Sequence, residues 1–158
     1  MGRNGKVDYS ELKAFKEKLE NSLQGKELDL FIEQCTKEIA ARILKGAIDR
    51  TPIGNYSNLA IKTGKVGGTL RRGWSIGDCG WHGKTFVVEI INPIQYAEYV
   101  EYGHRQTPGR YVPALGKRLV NGWVEGKFML TLAEKDVKGI TPKLLEARLE
   151  KKLREVFQ

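Results

Sequence analysis

The stretch TLRRGWSIGDCGWHGKTFVVEII, residues 69–91, decides the fold class. From Thr69 to Gly77, Leu70, Arg72, Trp74 and Ile76 alternate with Arg71 and Ser75, the period-two pattern of a strand with one covered face. Thr85–Ile91 is rich in Val, Ile and Phe and reads as a second strand. Asp78–Lys84 lies between them and reads as a hairpin turn. Two strands joined by so short a connection pair antiparallel, because a parallel pair needs a long crossover.

The flanks are helical. Asp8-Tyr9-Ser10-Glu11 has capping-box spacing, and Leu12, Phe15, Leu19 and Leu23 follow at helical intervals up to Gly25. A longer helix is expected from Leu28 to Asp49, with Leu28, Phe31, Ile32, Cys35, Ile39, Ile43, Ala47 and Ile48 as its apolar stripe. Thr51-Pro52 ends it, since proline disfavours the α conformation of the residue before it. Ile53–Gly68 is polar and rich in Gly, Asn and Ser, and reads as a long loop, of the kind that is either functional or disordered until bound.

Beyond the hairpin, Asn92-Pro93 breaks the sheet and Gln95–Tyr102 reads as a short helix. Gly103–Gly109 is expected to be a second flexible loop, and Tyr111–Trp123 is ambiguous, with a further strand one option. Lys127–Val137 predicts a helix stopped by Gly139. Thr141-Pro142 then starts another, with Leu144, Leu145, Leu149, Leu153 and Val156 as its stripe. Strands adjacent in sequence with helices at both ends give an α+β fold. The expectation is a small antiparallel sheet packed by a long N-terminal helix, a short mid-chain helix and two C-terminal helices. The chain reads as one domain, 1–158: a helical appendage over 1–26, an α+β core over 27–138 and a C-terminal helix over 139–158.

The net charge is +8 and is unevenly spread. Residues 51–130 carry 10 basic and 5 acidic side chains, against 10 and 9 in residues 1–50, so the excess sits mid-chain. Such an excess suits an anionic partner or keeps a self-associating protein soluble. No run approaches the ~18 apolar residues of a membrane span. The first residues lack a secretion-signal stretch, so the protein is expected in the cytosol. There Cys35 and Cys79 are expected to be reduced bystanders, Cys79 in a Gly-rich turn.

No catalytic constellation emerges, and no enzymatic activity or cofactor is expected. Cys79 and His82 form one loose pair, short of the two ligand pairs of a structural zinc site. None of Ser10, Ser22, Ser57 and Ser75 sits in a nucleophile elbow. Gly64-Lys65-Val66-Gly67-Gly68-Thr69 departs from the phosphate-binding P-loop pattern. Glu98 and Glu101, three apart on one helical face, suit ion pairs with Arg105 or Arg110. Nucleic-acid contact is the remaining chemical option: Arg71 and Arg72 stand beside Trp74, and His104, Arg105 and Arg110 stand beside Tyr111.

Three blocks carry a family resemblance. Arg50-Thr51-Pro52, Thr63-Gly64 and Thr69-Leu70-Arg71-Arg72-Gly73-Trp74 form the first, with an enlarged loop between Gly64 and Thr69. The second runs from Asn92-Pro93 through Tyr96-Ala97-Glu98-Tyr99-Val100-Glu101-Tyr102-Gly103-His104. The third is Val124-Glu125-Gly126-Lys127-Phe128-Met129-Leu130. In order and spacing over about residues 40–157, they resemble the gene-product-ten-like tail-component, or tail-completion, family of long-tailed phages and prophages.

The resemblance implies a non-enzymatic α+β subunit of the head–tail junction, forming a ring with other neck and tail proteins. It implies residence in the host cytoplasm during assembly and then in the virion, with no membrane partner. DNA passing through the ring would meet the protein non-specifically. Arg71, Arg72, Trp74, Tyr96, Tyr99, Glu101, Tyr102, His104, Arg105 and Arg110 are the candidate interface or DNA-lumen residues. The alternative reading is a small, basic, sequence-independent DNA-binding protein acting in packaging or DNA passage.

Overall fold

Helix α1, Lys26–Arg50, is the spine of the molecule in the computed structural model, which describes residues 14, 17, 21, 25–54, 66–113 and 116–157. It begins after Gly25 (φ 68°) with Glu27 and Asp29 in its first turn, where carboxylates favour the positive end of the helix dipole. It ends at Thr51, which turns extended ahead of Pro52 and donates its hydroxyl to the Ala47 carbonyl at 2.7 Å. The expected Leu28–Asp49 helix is therefore present with one or two residues added at each end. Of the expected helix over Leu12–Leu23 only Ala14, Glu17 and Asn21 are described, all three helical; its apolar stripe and most of the Ile53–Gly68 loop lie outside the described residues.

The hairpin exists but begins later than its pattern implies. Thr69–Arg72 is a turn of helix, α2, and strand β1 spans Ser75–His82. Arg72 and Gly73 donate their backbone N–H groups to the Gly68 and Thr69 carbonyls, the four-residue step of an α-helix. The two periods coincide here. Leu70 and Trp74 are four apart, so a helical turn and a strand both place them on one side, and both are buried.

Strand β2, Thr85–Ile91, pairs antiparallel with β1, His82 opposite Thr85 and Ser75 opposite Ile91. The turn is thus only Gly83-Lys84, with Gly83 at φ 63° as a two-residue hairpin loop requires. Cys79 consequently lies within β1, exposed, and not in a turn. Between Ile76 and Cys79 the register slips at a bulge, where the Asp78 N–H donates to the Glu89 carboxylate. The face carrying Phe86, Val88 and Ile90 covers α1.

Helix α3, Ala97–Tyr102, is the expected short helix. The expected flexible loop after it is partly strand: β3, Gly103–Arg105, pairs with β6, Trp123–Glu125. Between them β4, Tyr111–Val112, pairs with β5, Lys117–Arg118. All three sheets among the described residues are two-stranded and antiparallel.

One helix, α4, runs from Met129 to Phe157, where two were expected. Gly139 does not stop it, and Thr141 caps nothing new: its hydroxyl donates back to the Val137 carbonyl at 2.8 Å. Packing on α1 outweighs the weak local sequence. Met129, Ala133 and Val137 are buried at four-residue steps. Arg148 reaches Glu38 at 2.7 Å and Lys152 reaches Glu27 at 3.1 Å, holding the distal half of α4 on the spine. The core consists of Ala47, Leu70, Trp74, Ala97, Met129 and Ala133, wrapped by Ile43, Leu44, Ile48, Ile90, Ile94, Val100 and Leu130. A Cβ at Gly46 would stand 2.9 Å from that of Ala133, so only glycine permits this helix approach unchanged.

Candidate interaction surface

The three sequence blocks meet in space at joints between elements. Trp74 Nε1 donates to Thr51 Oγ1 at 2.7 Å, fastening the start of the hairpin to the end of α1. Asn92 Nδ2 donates to the Leu70 carbonyl at 2.9 Å, while its Oδ1 accepts from the Ile94 N–H at 3.2 Å. A Cβ on Gly73 would fall 2.6 Å from that same Oδ1, which accounts for the glycine before Trp74.

The second and third blocks are joined more tightly. The Glu101 carboxylate accepts the N–H groups of Leu130 and Thr131, both at 3.0 Å, and the Thr131 hydroxyl at 2.7 Å. It occupies the first turn of α4, whose unpaired N–H groups need such an acceptor. The Val100 and Glu101 carbonyls accept from Lys127 and Phe128 at 2.7 and 3.0 Å. Gly103 (φ 84°) and Gly126 lie against each other's backbone, where a Cβ would come within 2.4 Å of a carbonyl oxygen.

The candidate residues therefore divide. Trp74 and Glu101, expected at a surface, are buried at 9% and 6% exposure with structural partners. Glu101 pairs with neither Arg105 nor Arg110. Arg71 stands 3.9 Å from Asp49, and Arg72 donates to the Gly67 carbonyl at 3.3 Å. Tyr96, Tyr99 and Tyr102, at three-residue steps across α3, are 45%, 58% and 62% exposed. Such exposed amphipathic rings suit a protein contact. His104 packs edge-on against Tyr99 at 5.7 Å, its Nδ1 buried without a hydrogen-bond partner among the described residues. Arg105 and Arg110 are exposed.

Lys117, Arg118 and Trp123 were not among the candidates, although all three are exposed. Each faces a residue across a strand pair: Lys117 opposite Val112, Arg118 opposite Tyr111 and Trp123 opposite Arg105. Pro113 and Gly116 beside the turn were the only local signal for that pairing.

The remaining chemistry is confined to ion pairs and one thiol. Cys79 and His82 are three apart on a strand and project to opposite faces. No group of three or more metal-ligating side chains exists among the described residues. Glu33 is held below the ordinary carboxylate range, chiefly by the hydrogen bond from Trp81 Nε1 at 2.8 Å. Glu38 is lowered by Arg42 and Arg148, and Asp49 by Lys45. Burial pushes the Cys35 thiol up, away from its reactive thiolate form. A cavity of about 270 Å³ between α1 and α4 includes Cys35, Glu38 and Arg148 in its lining, the last two already paired with each other. No helix among the described residues is long and apolar enough to cross a membrane.

Residues 13–103 match the family model described as "Bacteriophage HK97-gp10, putative tail-component". No curated protein and no solved structure gives a significant match.

Proposed function

The chain belongs to the HK97-gp10-like family of bacteriophage tail components, and on that premise we propose that it acts at the head–tail junction. In this reading it is a neck or tail-completion subunit that joins other phage proteins and copies of itself in a ring. It has no catalytic task and needs no cofactor. It collects in the host cytoplasm and ends in the virion.

The observation that supports this reading is the row Tyr96, Tyr99 and Tyr102. Three large rings stand exposed, Tyr96 at the N-cap and Tyr99 and Tyr102 within a six-residue helix whose end is anchored through Glu101 to the start of α4. Rigid aromatic side chains on a pinned element suit a protein interface, because little conformational freedom is lost when a partner covers them.

The test is electron microscopy of lysates from the parent phage or prophage lacking this gene, complemented with wild type or with Tyr96→Ala/Tyr99→Ala/Tyr102→Ala. Filled heads beside unjoined or misassembled tails are expected from the deletion and from the triple variant. Normal joined particles in the deletion would reject the junction role.

A further inference from the structure

Residues 103–113 and 116–125 run antiparallel as a ribbon of two short strand pairs, β3 with β6 and β4 with β5, and among the described residues none of its cations has a carboxylate partner. Its ladder continues beyond the short strands. Gln106 donates to the Gly122 carbonyl at 2.9 Å, Gly109 to Leu119 at 2.8 Å and Leu119 to Arg110 at 2.9 Å. Strands β4 and β5 pack chiefly on each other. Ten residues from Gly103 to Val112 reach at most about 30 Å at ~3.3 Å per residue.

Charge separates this ribbon from the helices. Residues 103–125 contain four Arg and Lys side chains, Arg105, Arg110, Lys117 and Arg118, and a single carboxylate, Glu125, at the base of the ribbon. On the helices Arg42, Arg50, Arg71, Arg148 and Arg154 each stand within ion-pair distance of a carboxylate. Lys26, Lys135, Lys138 and Lys143, although unpaired among the described residues, each have an acidic residue within three positions in sequence. Among the described residues none of the four ribbon cations has either. Arg118 donates only to the neutral Gly109 carbonyl, at 2.8 Å. The cross-strand register then sets an aromatic opposite an arginine twice, Arg105 with Trp123 and Tyr111 with Arg118. Both rings are about half exposed.

We infer that this ribbon contacts duplex DNA, its two sides, residues 103–112 and 117–125, placing Arg105, Arg110, Lys117 and Arg118 on phosphates. An uncompensated cation gains most from a polyanion, because binding releases counterions and breaks no existing ion pair. Two strands about 5 Å apart fit within a major groove about 12 Å wide. Tyr111 and Trp123 add apolar contact beside the backbone. Contacts to phosphates carry no base information, so a contact made by these four side chains on the backbone is independent of base sequence. The inference rests on the tail-component reading in one respect: DNA passing through the particle is the ligand at hand.

The test uses the full chain and a fluorescent mixed-sequence duplex, with anisotropy read over a salt series. Arg105→Ala/Arg110→Ala/Lys117→Ala/Arg118→Ala is compared with a charge-matched control, Lys26→Ala/Lys135→Ala/Lys138→Ala/Lys143→Ala. Melting curves establish that both remain folded. The ribbon variant should bind at least about tenfold more weakly, with a log–log salt slope shallower by about 3, while the control keeps most of its affinity. Equal losses in both variants would mean diffuse attraction to net charge and would overturn the proposal. So would a wild-type chain that binds no duplex, including the case where the ribbon variant still blocks head–tail joining, which would indicate an acidic protein partner. Mass spectrometry of purified particles separates the two readings: DNA binding by a chain absent from virions would sink the tail role and leave the ribbon standing.

Discussion

Glu101 holds Thr131 by two hydrogen bonds through a single carboxylate oxygen, one to its backbone N–H at 3.0 Å and one to its hydroxyl at 2.7 Å. With the second oxygen on Leu130, this buried side chain ties α3 to the start of α4. Charge-assisted bonds at a helix N-terminus are among the stronger ones. Glu101→Gln should lower unfolding free energy by about 1–3 kcal/mol, because an amide donor replaces an acceptor facing an N–H. Thr131→Val should cost less, as it removes one of three bonds. Urea unfolding followed by circular dichroism measures both, and a neutral Glu101→Gln would show that the joint contributes little.

Trp74 and Thr51 form the matching joint at the other end of the core. Trp74→Phe and Thr51→Val should each destabilise the fold, and a double-mutant cycle should give coupling of about 0.5–1.5 kcal/mol. Additive losses would mean the bond is incidental to the packing.

Helix α4 carries two residues that weaken it for no evident packing reason. A Cβ on Gly139 would meet nothing within 4 Å, so Gly139→Ala should stabilise by about 0.5–1 kcal/mol. Pro142→Ala restores an N–H inside the helix and should add up to about 3 kcal/mol. Tm should rise in both with little change in helix content. A large gain in helix signal would instead mean that α4 is broken at this point in solution.

Acid should loosen α1 from its partners. Glu33, Glu38 and Asp49 have folded-state pKa values lowered by Trp81, by Arg42 and Arg148, and by Lys45 respectively. Lowered carboxylates stabilise the fold above their unfolded pKa, and the contribution is lost as pH falls through the folded value. Tm should therefore drop below the ordinary carboxylate range, modestly because these groups are exposed. Glu33→Gln/Glu38→Gln/Asp49→Asn should flatten that drop; an unchanged acid profile would assign the sensitivity elsewhere.

The two thiols should react at very different rates. Cys79 is exposed on β1, whereas Cys35 is buried with its thiol pushed up by desolvation. A maleimide should label Cys79 alone in the native protein and both after unfolding. Native labelling of Cys35 would show that α1 and α4 separate readily.

Much of this architecture was legible in the residue pattern. The α1 stripe from Leu28 to Ile48 has many turns over which to express its period, and β2 is a short apolar run bounded by turn residues. Thr69–Arg72 was not legible, because spacing of four between Leu70 and Trp74 satisfies strand and helix alike. Gly139 and Pro142 carry local stop signals, and contacts with α1 more than a hundred residues away override them. Glu101 looked like a surface ion-pair partner because nothing nearby in sequence indicates that Thr131 lies beside it. The ribbon strands are two or three residues long, too short for alternation to show.

Of the three most buried core residues, Ala47, Met129 and Ala133, at 0%, 0% and 1% exposure, the last two belong to α4. Synthesis from the N-terminus thus delivers α1, the hairpin and α3 before the side chains that complete their packing exist. A chain that stops short of residue 129 lacks the middle of its interior and leaves the Glu101 carboxylate without the helix it caps. Folding of the core therefore waits on the last part of the chain to be made, and α1, the hairpin and α3 remain incompletely packed until α4 arrives.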